Sequence, residues 1–467
     1  MGDDRMIRPY GLKALAGIVG VTLVLLLPAF WNGYPIFYFD SLDYISLPYT
    51  WKIPIFRTAG YGVFAAVVLP FNSVWPIIVV QSALLAYILF EARRVLFPHL
   101  SARYAFVVLA ILAVVTGMPW LASTVMPDVF TVPAVLLTLM LAQADVRLGT
   151  VRTTVFILLL ALACAAHPTH FALCIGLILC IFVIDKLALY NWPLNRMHVR
   201  YAIAGVVLGI AATVGSNWLA SGKVFLTPRT TQVLTLAVLV EKGLVQEFLD
   251  ETCNDPAAHK SILCPDKDKL PPDANEFLWH NPAFHKIGGW EAMIKEAPWM
   301  LDEIIDRHPI EFVRIMTELT LEQIVTFKTG EGFRTMVGFL DLEMRTYYTR
   351  ENAAFMAARQ QSYKEIEDSP MAAINRLHTP FMLASLPLIL VVVVLAWRQR
   401  DRSKLTLSGL VTLAYLGNSF ICGAISNPAD RYNNRIVWLV VLAVLVLLPP
   451  LIRAERERRA KASVSPR

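Results

Sequence analysis

The feature that most restricts this chain is a succession of apolar runs, each close to the length that crosses a bilayer. A membrane-spanning helix takes about 20 apolar residues, with a range of roughly 17 to 25. Ten runs approach that length: 14–31, 75–92, 104–122, 127–144, 153–166, 169–185, 201–219, 380–397, 405–424 and 436–452. Only 17% of the 467 residues are charged, against about 25% in soluble domains. An all-α polytopic membrane protein of about ten spans is therefore expected. The fifth and sixth runs are short and flank His167-Pro168-Thr169-His170, which reads as a broken hairpin. The piece 60–72 reads as an interfacial helix, because counting it as a span would reverse every later charge assignment.

Charge sets the orientation. Residues 223–379 carry 17 Lys and Arg against 24 Asp and Glu, a net of −7; the remainder carries 25 against 12, a net of +13. The excess cations fall in short segments between runs, among them Arg93, Arg94, Arg103, Arg147, Arg152, Arg200, Arg398 and Lys404. Segments of this kind face the cytoplasm, which puts both termini on that side. A nucleic-acid-binding surface would gather its cations against phosphates rather than scatter them between spans, so no nucleic-acid partner is expected. Arg5, Arg8 and Lys13 before the first run resemble the start of a signal peptide. No small-x-small cleavage site follows, and an uncleaved first span is expected.

Three regions result: an N-terminal transmembrane module over 1–219, an acidic external insert over 220–379, and C-terminal transmembrane helices with a basic tail over 380–467. The insert lies between the seventh and eighth spans. Helical periodicity marks 231–249, 290–306 and 310–327 within it, with Pro309 starting the last of these. Cys253 and Cys264 also fall here and would pair as a disulfide in an oxidising compartment. Zinc ligation with His259 or His280 is the alternative, although the paired C-x-x-C spacing is missing. The four remaining cysteines sit within spans and read as packing residues.

Four external features adjoin the membrane. The first is the loop over 31–74 with Asp40, Asp43, Lys52 and Arg57. The others are Met126-Pro127-Asp128, the His167–His170 turn, and Asp430-Arg431-Tyr432 with Arg435. Charges at span ends cost up to about 3 kcal/mol if they enter the hydrocarbon, and simple solvation would explain any one of them. No G-x-G-x-x-G, Walker A, H-E-x-x-H or G-x-S-x-G motif competes. A carboxylate can accept the proton of an attacking hydroxyl, and arginine can stabilise a leaving phosphate. Together these suit sugar transfer from a lipid-borne donor.

The order of these elements resembles the membrane-embedded GT-C glycosyltransferases, such as protein O-mannosyltransferases and the lipid A aminoarabinose transferase. Asp40-Ser41-Leu42-Asp43-Tyr44 resembles their acidic first-loop motif. Arg57-Thr58-Ala59-Gly60-Tyr61-Gly62 is similar to the basic turn that follows it, with Gly62 in place of proline. Met126-Pro127-Asp128 resembles their second acidic site, His167-Pro168-Thr169 their basic-Pro-Thr turn, and Arg431-Tyr432 a late Arg-Tyr pair. The insert matches no part of the pattern.

The resemblance implies an inverting transferase of the bacterial inner membrane, acting at the periplasmic face. Its donor would be a polyprenyl-phosphate-linked sugar and its acceptor an envelope lipid, glycan or protein. Asp40 would be the general base with Asp43 as the substitute, since a separation of three puts both on one side of a helical turn. Physics alone leaves the two tied. Asp128 would orient the base or acceptor, or else cap the fourth span. Arg57, Arg431 and Arg435 are candidate phosphate clamps with Lys52 as a further one, and His167, His170 and Tyr432 would lie near the donor. Tyr61 and Trp51 could stack on sugar, though an aromatic belt also explains them. No cofactor is required by the resemblance, and a divalent cation between Asp40 and Asp128 is an option. The alternative functions are an O-antigen polymerase or ligase, or a non-enzymatic transporter or assembly protein.

Overall fold

The computed structural model describes residues 11–69, 72–142, 148–186 and 196–464. The basic residues Arg5, Arg8 and Arg147 lie outside them. Among the described residues the regular structure is all helical, and the strand-like pairing is an isolated bridge between Ile36 and Thr124. The N-terminal part runs through α1 (Leu12–Leu25), α2 (Leu27–Asn32), α3 (Ser41–Thr50), α4 (Gly60–Val68), α5 (Trp75–Val95), α6 (Ala102–Val115) and α7 (Met118–Ala122). A 3-10 turn at Pro127–Phe130 leads into α8 (Thr131–Ala142), followed by α9 (Thr150–Ala166), α10 (Pro168–Lys186) and α11 (Arg196–Ser221).

Several apolar runs are not single helices, and the breaks have local causes. The first run divides before Pro28, whose missing N–H cannot continue the α-helical ladder. The Ser123 hydroxyl serves the break, donating to the Leu25 carbonyl at 3.0 Å and accepting from the Ala29 amide at 3.2 Å. In a bilayer such exposed backbone groups would otherwise each cost several kcal/mol. The third run divides at Gly117, where a Cβ would lie 2.2 Å from Asn434 Oδ1. That glycine lets the last helix of the chain approach closely. The hairpin between α9 and α10 is broken at His167, which is extended at φ −153°, as the Pro168 that follows it requires.

The acidic region contains α12 (Thr230–Glu241), α13 (Leu244–Thr252), α14 (Pro282–Lys286), α15 (Gly289–Arg307) and α16 (Pro309–Val325). The helix expected over 231–249 is split at Gly243, which adopts φ +82° and ends α12 in the way left-handed glycines do. These helices bury Val233, Leu236, Phe248, Phe277, Phe284, Met300 and Leu319 in a core of their own. Each such side chain contributes about 1.5–3 kcal/mol on burial. Cys253 and Cys264 form a disulfide beside this core. The next stretch belongs elsewhere: Phe327, Met336, Leu340 and then Met344 of α17 (Asp341–Tyr347) and Phe355 of α18 (Asn352–Ala357) pack into the main core.

Three long helices complete the chain: α19 (Met371–Arg398), α20 (Arg402–Ser419) and α21 (Asp430–Val464). Among the described residues five helices, α5, α11, α19, α20 and α21, are long and apolar enough to cross a membrane. The apolar window of α21 is 72% buried and that of α19 only 28%, so α21 is an axis of the bundle and α19 presents an apolar outer face. The apolar stretches of the other helices, among them Leu12–Leu25, Ala102–Val115, Thr150–Ala166 and Pro168–Ile184, are shorter, at 10–17 residues.

Candidate functional site

The loop between α2 and α3 is fixed before it reaches its carboxylates. Gly33 closes α2 at φ +85°, and Asn32 bonds the Tyr34 carbonyl at 2.8 Å and accepts from the Gln360 amide at 2.8 Å. The Gln360 side chain clamps Phe37 at both backbone groups, at 3.1 and 2.7 Å. Ser41 accepts from the Tyr38 amide at 2.9 Å and donates to the Val125 carbonyl at 2.8 Å. Asp40 stands at the N-cap of α3, where an aspartate ordinarily accepts from its own helix. Its carboxylate makes no such bond and turns instead to two arginines.

Asp40 Oδ1 pairs with Arg57, and Oδ2 accepts from Arg431 Nη1 at 2.8 Å. Arg57 Nε also donates to Asp43 Oδ2 at 3.1 Å, so the two acids one turn apart share one guanidinium. The cluster joins the first loop to a residue 391 positions later. All four side chains keep some exposure, 12% for Asp40, 16% for Asp43, 21% for Arg57 and 20% for Arg431, which leaves them open to a ligand. Burial pushes the Asp40 carboxyl up, but Arg431 and Arg57 outweigh it and hold the group below its ordinary value. At Asp43 burial prevails over the attraction of Arg57, and the carboxyl lies above its ordinary value. The environment thus separates two acids that spacing alone leaves equivalent.

Asp128 and Arg435 form a different kind of pair. Asp128 Oδ1 accepts from Arg435 Nη1 at 3.0 Å, with side-chain exposures of 6% and 0%. Arg435 Nη2 also reaches Thr169 Oγ1 and Asn418 Oδ1, both at 3.0 Å, and Cys422 Sγ at 3.0 Å. One guanidinium therefore ties the turn before α8 to α10, α20 and α21. Arg435 is a buried brace rather than an accessible phosphate clamp, and Asp128 is its counter-charge; the carboxylate makes no cap for α8. Since Asp40 and Asp128 each accept from a guanidinium, the donor set facing them is cationic.

The structure adds a residue that the sequence did not single out. Glu331 Oε1 accepts from the Tyr38 hydroxyl at 3.0 Å and Oε2 from the Arg431 amide at 2.7 Å. The Arg431 guanidinium lies over the Tyr38 ring at 4.5 Å and the Tyr432 ring at 4.9 Å. A cavity of about 60 Å³ adjoins this group, lined among others by Tyr38, Met126, Asp128, Glu331, Arg431 and Asn434. The available signal was Gly330-Glu331-Gly332, an acid between two glycines. Its partners are 293 and 100 positions away, beyond any local pattern.

Other expected site residues are placed differently. Tyr61 is fully buried among Tyr44, Phe64 and Phe130, and its hydroxyl donates to Gln81 at 2.7 Å, so no ring face is free for a sugar. His170 is also fully buried, with both ring nitrogens engaged by Thr131 Oγ1 and the Ala163 carbonyl, at 2.9 and 2.7 Å; it straps the broken hairpin instead of meeting a donor. His167 is half-buried and bonded to Thr169 at 2.9 Å. Tyr432 lies between Arg431 and Arg435 of α21, with Arg435 5.5 Å from its ring. Lys52 and Trp51 are exposed beyond the end of α3, and neither lines the cavity. Comparison of the chain with protein-family models, curated proteins and solved structures finds no match.

Proposed function

We propose that this chain is a GT-C-type membrane glycosyltransferase. In this reading about ten spans sit in a bacterial inner membrane with both termini cytoplasmic, and residues 220–379 form a periplasmic insert. The observation that carries it is the Asp40–Arg57–Arg431 cluster. It unites a first-loop carboxylate with two guanidiniums, beside a cavity and with part of each side chain exposed.

The chemistry follows from what these groups can do. A polyprenyl-phosphate-linked sugar places its phosphate against Arg57 and Arg431, where charge-assisted bonds stabilise the leaving group. The hydroxyl of an envelope lipid, glycan or protein attacks the anomeric carbon from the opposite face. The new carbon–oxygen bond forms as the bond to the phosphate oxygen breaks. The electron pair leaves with polyprenyl phosphate, the hydroxyl proton passes to Asp40, and the configuration inverts. Donor binding also tunes the base. Two guanidiniums keep Asp40 a weak base in the resting state, and a phosphate that draws them away raises its proton affinity. Asp43 stays paired with Arg57 at one oxygen and positions that guanidinium. No cofactor enters this scheme.

The test uses purified protein in nanodiscs with polyprenyl-phosphate monosaccharides and extracted envelope acceptors. Transfer with inverted anomeric configuration is expected. Transfer only from pyrophosphate-linked oligosaccharides would move the protein to the polymerase or ligase class, and transfer from neither would refute the reading.

A further inference from the structure

The cavity beside Arg431 is too small for the proposed substrate. At about 60 Å³ it has room for a few water molecules, whereas ligand pockets span roughly 300–1,000 Å³. Gly330 and Glu331 form part of its wall, at the turn Gly330-Glu331-Gly332 in the 15-residue connection between α16 and α17. Helix-free connections of about this length are uncommon unless they have a function.

Three observations single out this turn. Both glycines are left-handed, Gly330 at φ +87° and Gly332 at φ +74°. A Cβ on Gly330 would lie 2.1 Å from Met371 Sδ, and one on Gly332 2.5 Å from the Tyr38 ring, so the turn is pressed tightly into its seat. Both its ends are anchored. Thr329 is fully buried, with its amide bonded to Asn375 at 2.8 Å and its hydroxyl to His378 at 2.9 Å, and Phe333 is buried against Trp120 and Tyr363. Three residues remain between these anchors, with Glu331 flanked on each side by a left-handed glycine. Finally, the Glu331 carboxylate takes neutral donors only, the Tyr38 hydroxyl and the Arg431 amide, while the Arg431 guanidinium beside it is committed to Asp40 and Tyr432. A half-buried carboxylate without a directly bonded cation is held at a desolvation cost, and desolvation pushes its proton affinity up against the attraction of the nearby Arg431 charge.

We propose that the Arg431 amide and guanidinium with the Tyr38 hydroxyl form a phosphoryl-binding subsite, which Glu331 fills as an internal stand-in until a ligand displaces it. The inference rests on the transferase reading and adds a plug to it. A phosphoryl oxygen replaces the glutamate oxygens on the amide and hydroxyl, and the turn swings out about Gly330 and Gly332. The cavity then widens towards Asp128 and Met126. The same chemistry would accept free phosphate or the phosphate of a polyprenyl lipid.

Binding of a short-chain polyprenyl phosphate and of inorganic phosphate to full-length protein in nanodiscs separates these outcomes. Glu331→Ala and the shape-preserving Glu331→Gln remove the competing charge. Each is expected to bind polyprenyl phosphate on the order of tenfold more tightly than wild type, as removal of a mostly closed state requires, and Arg431→Ala to lose binding. Tighter binding of inorganic phosphate alone supports the subsite and assigns it to the free anion. Unchanged or weaker binding of both probes by both folded Glu331 variants overturns the plug. If sugar transfer by wild type persists in that case, only this inference falls. If wild type and variants bind neither probe and transfer nothing, the transferase reading falls with it.

Discussion

Replacing Arg435 with methionine tests whether the Asp128–Arg435 pair braces the bundle. The arginine is fully buried, and its loss leaves Asp128, at 6% exposure, without a counter-charge. Breaking a buried pair from one side costs about 3–5 kcal/mol, and the lost bonds to Thr169 and Asn418 add to it. Neutralising both partners together removes most of the penalty, because no uncompensated charge remains. The expected order is therefore wild type, then Asp128→Asn with Arg435→Met, then Arg435→Met alone, with a coupling of about 0.5–3 kcal/mol between the sites. Heating detergent-solubilised protein and following the folded fraction by size-exclusion chromatography reads this order as apparent melting temperatures. By size scaling the single variant falls by on the order of 5 °C or more. Equal melting temperatures for Arg435→Met and wild type, or strictly additive effects in the double variant, would refute the brace.

Two further outcomes follow from the same geometry. Asp40 has a lowered proton affinity in the fold, so its contribution to stability is present above about pH 4 and is lost as pH falls through its lowered value. Asp43 is raised, so its contribution is present at low pH and is lost as pH rises from about 4 through its raised value. The two oppose each other; Asp43→Asn should steepen the acid loss of thermal stability and Asp40→Asn should flatten it, read from melting temperatures between about pH 3 and 6. Gly60→Ala should destabilise the protein by more than about 2 kcal/mol, since its Cβ would lie 1.8 Å from the Ala165 carbonyl oxygen. Reduced yield and melting temperature, unrelieved by donor phosphate, are the expected readout.

The sequence was most informative where a property is local. Apolar runs located the long helices because hydrophobic length is a property of contiguous residues, and α5 and α21 begin close to where those runs do. Pro168 marked the broken hairpin, and Asp40 and Asp43 could be placed on one helical face by spacing. Depth and partnership were hidden. Nothing in a span-end Arg435 distinguishes a brace inside the bundle from a clamp at its mouth, because the difference lies in Asp128, Thr169 and Asn418 converging from three other segments. Tyr61 in a Gly-Tyr-Gly turn suits sugar stacking or an aromatic belt by sequence, yet small neighbours also let helices pack over a ring. Gly243 split an amphipathic stretch that periodicity alone reads as continuous. Division of the acidic region between two cores likewise depends on contacts that connect distant parts of the chain.

The most direct test of the central claim is the single-turnover rate of sugar transfer in nanodiscs by wild type, Asp40→Asn and Asp43→Asn, with donor binding measured in parallel. Loss of a general base typically costs about 100- to 10,000-fold in rate. The account predicts a loss of that size for Asp40→Asn with donor still bound, and a smaller loss for Asp43→Asn. Full transfer by Asp40→Asn would contradict it.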